Sequence, residues 1–140
     1  MKFRAAVLIV SLFYTSNYIF PQNFHLSDKL IKKLTDEDKT DTLNFYTQKI
    51  EKSIQTQDSL EIANSLYGLG NYCYENYYLE STVECLSKSF SLYEELESYE
   101  DMIESLNLLG ITQNMLSEYT EALNTHKQAL NLSKSINNKY

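Results

Sequence analysis

Apolar side chains in this chain return at helical spacing, with no stretch of the strict alternation that marks a strand. Ile62, Leu66, Leu69 and Cys73 form one stripe, and Leu79, Val83, Leu86, Phe90 and Leu92 form the next. Residues three or four apart share one face of a helix, so each stripe predicts an amphipathic helix that buries that face. Asp58, with Glu61 three residues on, is a capping-box start for a helix to about Glu75. A turn near Asn76-Tyr77 leads to a second helix, from about Tyr78 to Leu96. Ser98 with Asp101 starts a third, to about Leu116, and Ser117 with Glu118 opens a fourth, to about Ile136. Upstream, Asp28 to Leu34 predicts a short helix, and Thr40 or Asp41 starts a longer one to about Gln55. Pro21 is the one proline, and no proline interrupts the chain from Gln22 onward. The fold class is all-α.

The helices also repeat. The sequence matches itself without a gap at an offset of 40 residues. Ser65-Leu66 recurs as Ser105-Leu106, Leu69-Gly70 as Leu109-Gly110, and Leu92 as Leu132. Between these anchors Val83 corresponds to Leu123, Ser89 to Ala129 and Phe90 to Leu130. One period earlier, Leu43, Tyr46 and Ile50 take the places of Val83, Leu86 and Phe90, which marks a degenerate unit present mainly as its second helix. A fixed period of this size is the signature of a solenoid, in which each unit buries its apolar face against its neighbours. The expected organisation is a degenerate helical unit over residues 22–57, one full repeat over 58–98 and a second over 99–140. Such an array is about two and a half units long.

Gly70 and Gly110 fall in the middle of helices, where glycine costs ~1 kcal/mol relative to alanine. That cost is tolerable if a facing helix comes close, and Thr82 and Ser89 in the first unit, and Ala122 and Ala129 in the second, are the small residues expected to meet it. With Leu69, Gly70, Leu109 and Gly110, they make up the expected repeat-packing set. This pattern resembles the tetratricopeptide repeat, a helix-turn-helix unit of about 34 residues with a Leu-Gly pair in its first helix and small residues in its second. The second unit is the better match, through Leu106, Leu109-Gly110, Tyr119, Ala122, Ala129 and Leu130. The resemblance covers about residues 59–136 and implies a right-handed superhelical solenoid that binds other proteins rather than an enzyme.

The period is longer than that of the family by about six residues, and these are expected to lengthen the helices around the turn joining one unit to the next. Longer repeats of this sort look like those of bacterial regulators with an exported sensory array. A truncated sensory arm of a two-component or transcriptional regulator is therefore the alternative to a free-standing scaffold.

In the family the concave groove is lined by the first helix of each unit. The resemblance places Asn64, Tyr67, Asn71 and Tyr74, then Glu104, Asn107, Ile111 and Asn114, along that groove. Asparagine amides pair with the backbone of an extended peptide, and tyrosines offer rigid amphipathic area. The basic clamp that grips a C-terminal carboxylate in the family has no counterpart here, since neither of these helices carries lysine or arginine. A neutral or basic partner segment is expected, not an acidic one.

Charge sharpens this expectation. The chain carries a formal net charge of −7, and between Ser53 and His126 there are thirteen acidic residues and a single basic one, Lys88. Such a surface repels nucleic-acid phosphates and anionic lipid headgroups. The first residues differ in character: Lys2 and Arg4 precede the apolar run Ala5 to Tyr14, followed by Thr15-Ser16-Asn17. That order describes a secretory signal peptide over residues 1–21, with an uncleaved N-terminal anchor as the alternative, and predicts an exported or membrane-anchored protein.

Catalytic and metal constellations are weak. Asp36-Glu37-Asp38 with Asp41 lacks the glycine of a calcium loop and has Thr47 where the closing glutamate belongs. His25 and His126 stand apart, outside any zinc spacing, and His126 reads as an interhelical packing residue. No cofactor is implied. Cys73 and Cys85 are expected to stay unbridged: if Gly70 faces Thr82, they are offset by ~9 Å along the helices, with ~8–10 Å between axes, against a limit of ~7 Å between the α carbons of a disulfide. At the C-terminal end no polar capping helix follows the second unit, so Leu123, Leu130 and Ile136 are expected to lie partly exposed. The chain then either continues a longer array or self-associates through that end.

Overall fold

The computed structural model describes residues 40–137, and among them five helices follow one another without a strand. They are α1 (Thr40–Thr56), α2 (Ser59–Glu75), α3 (Leu79–Glu95), α4 (Tyr99–Met115) and α5 (Tyr119–Asn137). The N-terminal segment, the helix expected at Asp28 to Leu34, His25 and the acidic run at residues 36–38 lie outside the described residues. Each helix packs on its neighbours in sequence, and α2 also touches α4. Two hairpins result, α2 with α3 and α4 with α5, and α1 covers the outer side of α2. This is an all-α helical repeat solenoid of about two and a half units.

The four connections share one construction. Gln57, Tyr77, Glu97 and Ser117 all adopt positive φ, at 56°, 61°, 54° and 65°. In each case the amide of that residue bonds the carbonyl three residues back, as in Tyr77 to Tyr74 at 3.0 Å. The next amide bonds the carbonyl five residues back: Asp58 to Ser53, Tyr78 to Cys73, Ser98 to Tyr93 and Glu118 to Gln113, all at 2.8–2.9 Å. These are Schellman closures, which satisfy carbonyls left over at a helix end. The residue that closes one helix also opens the next, because its carbonyl accepts the amide of Ile62, Thr82, Met102 or Ala122. The closure therefore recurs every 20 residues, half the sequence period. Turns within and between hairpins are alike, and α1 to α4 each have 17 residues. The 40-residue period from Ser59 to Ser98 is therefore two 17-residue helices with equal three-residue connections.

The helix starts foreseen from the sequence use less of their side chains than expected. Asp58 does accept a hydrogen bond from the Glu61 amide, at 3.0 Å. The reciprocal arm is missing, because the Asp58 amide is spent on Ser53 and the Glu61 carboxylate pairs with Lys49 at 2.7 Å. Ser98 donates its hydroxyl to the Asp101 carboxylate and makes no side-chain bond to backbone.

The core is built from fully buried Ile62, Leu66, Leu69 and Leu86, interleaved with Ala63, Ser65, Thr82, Ser89, Ser105 and Thr112. Leu69, Gly70, Thr82, Ser89, Leu109, Gly110, Ala122 and Ala129 are all buried. The nearest neighbours of Gly70 differ from the expected ones. A Cβ on Gly70 would lie 3.0 Å from Leu86 Cδ2 and 3.3 Å from Cys85 Cβ, so these two residues and not Thr82 lie closest to it. Ser89 donates to the Ala63 carbonyl at 3.1 Å, a contact seven residues along each helix from Gly70 and Thr82 that keeps the expected facing. The second hairpin keeps the same register, with Gly110 under the imidazole of His126, whose Cε1 would be 2.6 Å from an added Cβ.

The cysteines remain unbridged and buried, as the sequence predicts. Cys73 and Cys85 are both buried free thiols on facing helices. The Cys73 side chain and then burial push the Cys85 thiol well up from its ordinary value.

Candidate partner-binding groove

Helices α2 and α4 occupy equivalent places in successive hairpins, so residues 40 apart line up along one strip. Asn64 and Glu104, Tyr67 and Asn107, Asn71 and Ile111, and Tyr74 and Asn114 are the corresponding pairs. On α4 all four are exposed. On α2, Asn64 is exposed while Tyr67, Asn71 and Tyr74 are half-buried. The amide of Asn71 donates to Glu75 Oε1 at 3.0 Å, one turn on, which orients that side chain along the helix surface.

A polar cluster joins the two hairpins at the N-terminal half of this strip. The buried Tyr93 hydroxyl donates to Asn64 Oδ1 at 2.8 Å, which ties the end of α3 to α2. Burial pushes the Tyr93 phenol up to about 12, with a Ser89 hydroxyl opposing and the charges of Asp101 and Glu104 adding. Tyr67 is shifted upward by its burial, then by the carboxylates of Glu104 and Asp101. These effects report that the α2 tyrosine shares one electrostatic environment with the acids of α4. Asp101 is steadied by the Ser98 hydroxyl and sits in the first turn of α4, where a helix N-terminus favours negative charge.

Of the eight residues expected along the groove, Asn64, Tyr67 and Glu104 belong to this cluster, while Asn107, Ile111 and Asn114 extend it along exposed α4. Tyr93 and Asp101 were missed by sequence reasoning. Tyr93 lies one turn beyond Ser89, so its position on the α2-facing side of α3 was available from helical spacing alone. What spacing does not give is that its hydroxyl reaches Asn64.

The strip offers carbonyl and carboxylate acceptors, amide donors and phenol rings. It offers no cationic side chain from either helix. Among the described residues no three metal-ligating side chains come together, and no helix is long and apolar enough to cross a membrane. No curated protein and no solved structure matches the chain. A family model does, over residues 61–135, which takes in most of both hairpins and more than half of the sequence. The repeat, the helical hairpins and this match agree, and the chain belongs to the tetratricopeptide repeat family.

Proposed function

We propose that the chain is a non-catalytic scaffold that holds an extended, neutral or basic peptide segment in a concave groove along α2 and α4. Repeats of this family generally mediate protein–protein interaction, and the finer reading rests on the charge of the strip. The observation that carries it is the joint environment of Tyr67, Asp101 and Glu104, on two helices without lysine or arginine. A basic side chain placed there gains two carboxylates and a tyrosine face. An acidic segment meets only like charge. The same charge argument sets nucleic acid aside as a partner. A sensory arm of a two-component or transcriptional regulator would use the same groove, with its output elsewhere.

The test is titration of the full chain with two labelled peptide pools of equal length, one basic and one acidic, by fluorescence anisotropy. The basic pool is expected to bind and to weaken with added salt, and Tyr67→Ala with Asn71→Ala is expected to reduce affinity about tenfold. Equal binding of both pools, or no change in the double variant, would overturn the reading.

A second surface is favoured by a separate observation. Leu123 and Leu130 of α5 are 55% and 52% exposed, although the corresponding Val83 and Phe90 of α3, which packs on α4, are half-buried. A face that accepts a helix one period earlier is open here, and pairing with a second copy of the chain would cover it. Sedimentation velocity is expected to show a concentration-dependent dimer that Leu123→Glu abolishes. A monomer at all concentrations would count against it.

A further inference from the structure

We propose that Cys73 and Cys85 close a disulfide that staples α2 to α3 when the chain folds in an oxidising medium. Three observations bring the two side chains to one level of the hairpin. First, both are fully buried on facing helices, and Cys73 is the leading cause of the upward push on the Cys85 thiol. Second, Gly70, one turn before Cys73 on the same helix, would carry a Cβ only 3.3 Å from Cys85 Cβ, so the two backbones approach closely at this level. Third, the equivalent positions one period later are Gln113 and Thr125, and there the Thr125 hydroxyl donates to Gln113 Oε1 at 2.8 Å. The second hairpin thus joins the two equivalent sites by a polar contact. Positions that face each other there belong to the hairpin register that both units share.

The chemistry is thiol–disulfide exchange with a small oxidised disulfide such as oxidised glutathione. A cysteine thiolate attacks the glutathione disulfide, forming a mixed disulfide and releasing one glutathione thiol. The second cysteine then displaces the remaining glutathione. Two protein S–H bonds are lost and one S–S bond forms, while the glutathione disulfide is reduced to two thiols. In the closed hairpin neither cysteine is exposed, so an external disulfide cannot reach either sulfur. The bond therefore closes while the hairpin is still assembling, and once closed it is shielded from reductants. An oxidising compartment is its natural setting.

The test unfolds the full chain in denaturant with reductant and dilutes it into a glutathione redox buffer. A parallel sample is diluted into reductant alone. After refolding, both are denatured and treated with N-ethylmaleimide, and intact mass counts the labels. The reduced sample is expected to take two labels and the oxidised one none, with a single linked peptide containing Cys73 and Cys85. The oxidised form is expected to melt several degrees higher, by roughly 10 °C. Two labels after oxidation, glutathione adducts, or only intermolecular dimers would overturn the proposal. So would a linked form that melts lower than the reduced one. A second arm moves the pair: Gln113→Cys with Thr125→Cys, in a Cys73→Ser and Cys85→Ser background, is expected to close equally under the same conditions. Failure of that pair to close would show that the two sites do not share a register, and would remove the third support.

Discussion

The two hairpins have the same backbone and nearly the same pattern, yet they are not equally buried. Leu66 and Leu106 are both in the core, as are Gly70 and Gly110. On the second helices the agreement ends. Leu86 is fully buried against Gly70 of α2, while its counterpart His126 is half-buried. Tyr93 is buried, while Ser133 is only half-buried. Leu123 is a larger apolar residue than Val83 and is nevertheless the more exposed of the two. Side-chain hydrophobicity does not decide burial in such an array. What decides it is whether another helix follows, because each unit supplies only half of its own cover.

The largest effect expected from breaking this comparison is at Leu86. Leu86→Ala should cost about 3–4 kcal/mol in urea unfolding, the range for a fully buried leucine, whereas Leu123→Ala should cost less than about 0.5 kcal/mol in dilute protein. Equal losses would show that the α5 face is covered after all. Next comes the glycine pair. Gly70→Ala presses a methyl on buried Leu86 and on the Cβ of Cys85, neither of which has room to move, and should destabilise by about 1–2 kcal/mol. Gly110→Ala meets the tip of a half-exposed imidazole that can swing aside, so part of its cost is returned by the better helix propensity of alanine. Its net change should be the smaller one in the same assay.

Alkaline pH separates the hairpins in a different way. The Tyr93 phenol is pushed up from an ordinary value near 10 to about 12. A raised folded value means that the folded state holds the proton more tightly. The stability from this group is therefore complete below pH 10 and is lost as pH climbs through about 12. Melting curves between pH 9 and 12 should fall more steeply for the native chain than for Tyr93→Phe. Parallel curves would mean that the phenol is not sensed by folding.

The smallest effect should be common to both hairpins. Ser65 and Ser105 occupy the same position and both bury a hydroxyl with no hydrogen-bond partner. Replacing either with alanine removes an unsatisfied group and improves helix propensity, and should stabilise by about 0.5–1 kcal/mol. Unequal responses would show that the two units differ at their centres as well as at their edges.

Much of this molecule was legible before its structure. Helix starts at Asp58, Tyr78, Ser98 and Glu118 follow from capping residues and apolar spacing, and the observed bounds agree within about two residues. The offset between Leu69-Gly70 and Leu109-Gly110 identified the repeat. The 20-residue half-period was hidden because Gln57, Tyr77, Glu97 and Ser117 share no chemistry. Glycine, which would advertise a left-handed helix end, stands at none of these positions. A local rule misassigned the nearest neighbours of Gly70, pairing it with Thr82 because both are small. The packing of α2 on α3 instead sets Gly70 against Leu86 and Cys85. At the groove, helical position named Asn64, Tyr67 and Glu104, but Tyr93 and Asp101 joined them through contacts between helices.

The sequence by itself determined the secondary structure and the unit, because helix formation and apolar patterning act over one or two turns. Only the tertiary structure decided which side chains meet, since the facing of two helices is set by all the contacts between them together. That packing sets Gly70 against Cys85 and Leu86, places Tyr67 in the field of Glu104, and leaves Leu123 more exposed than Val83. Each of these depends on residues far apart in the chain, and none is written in a local pattern.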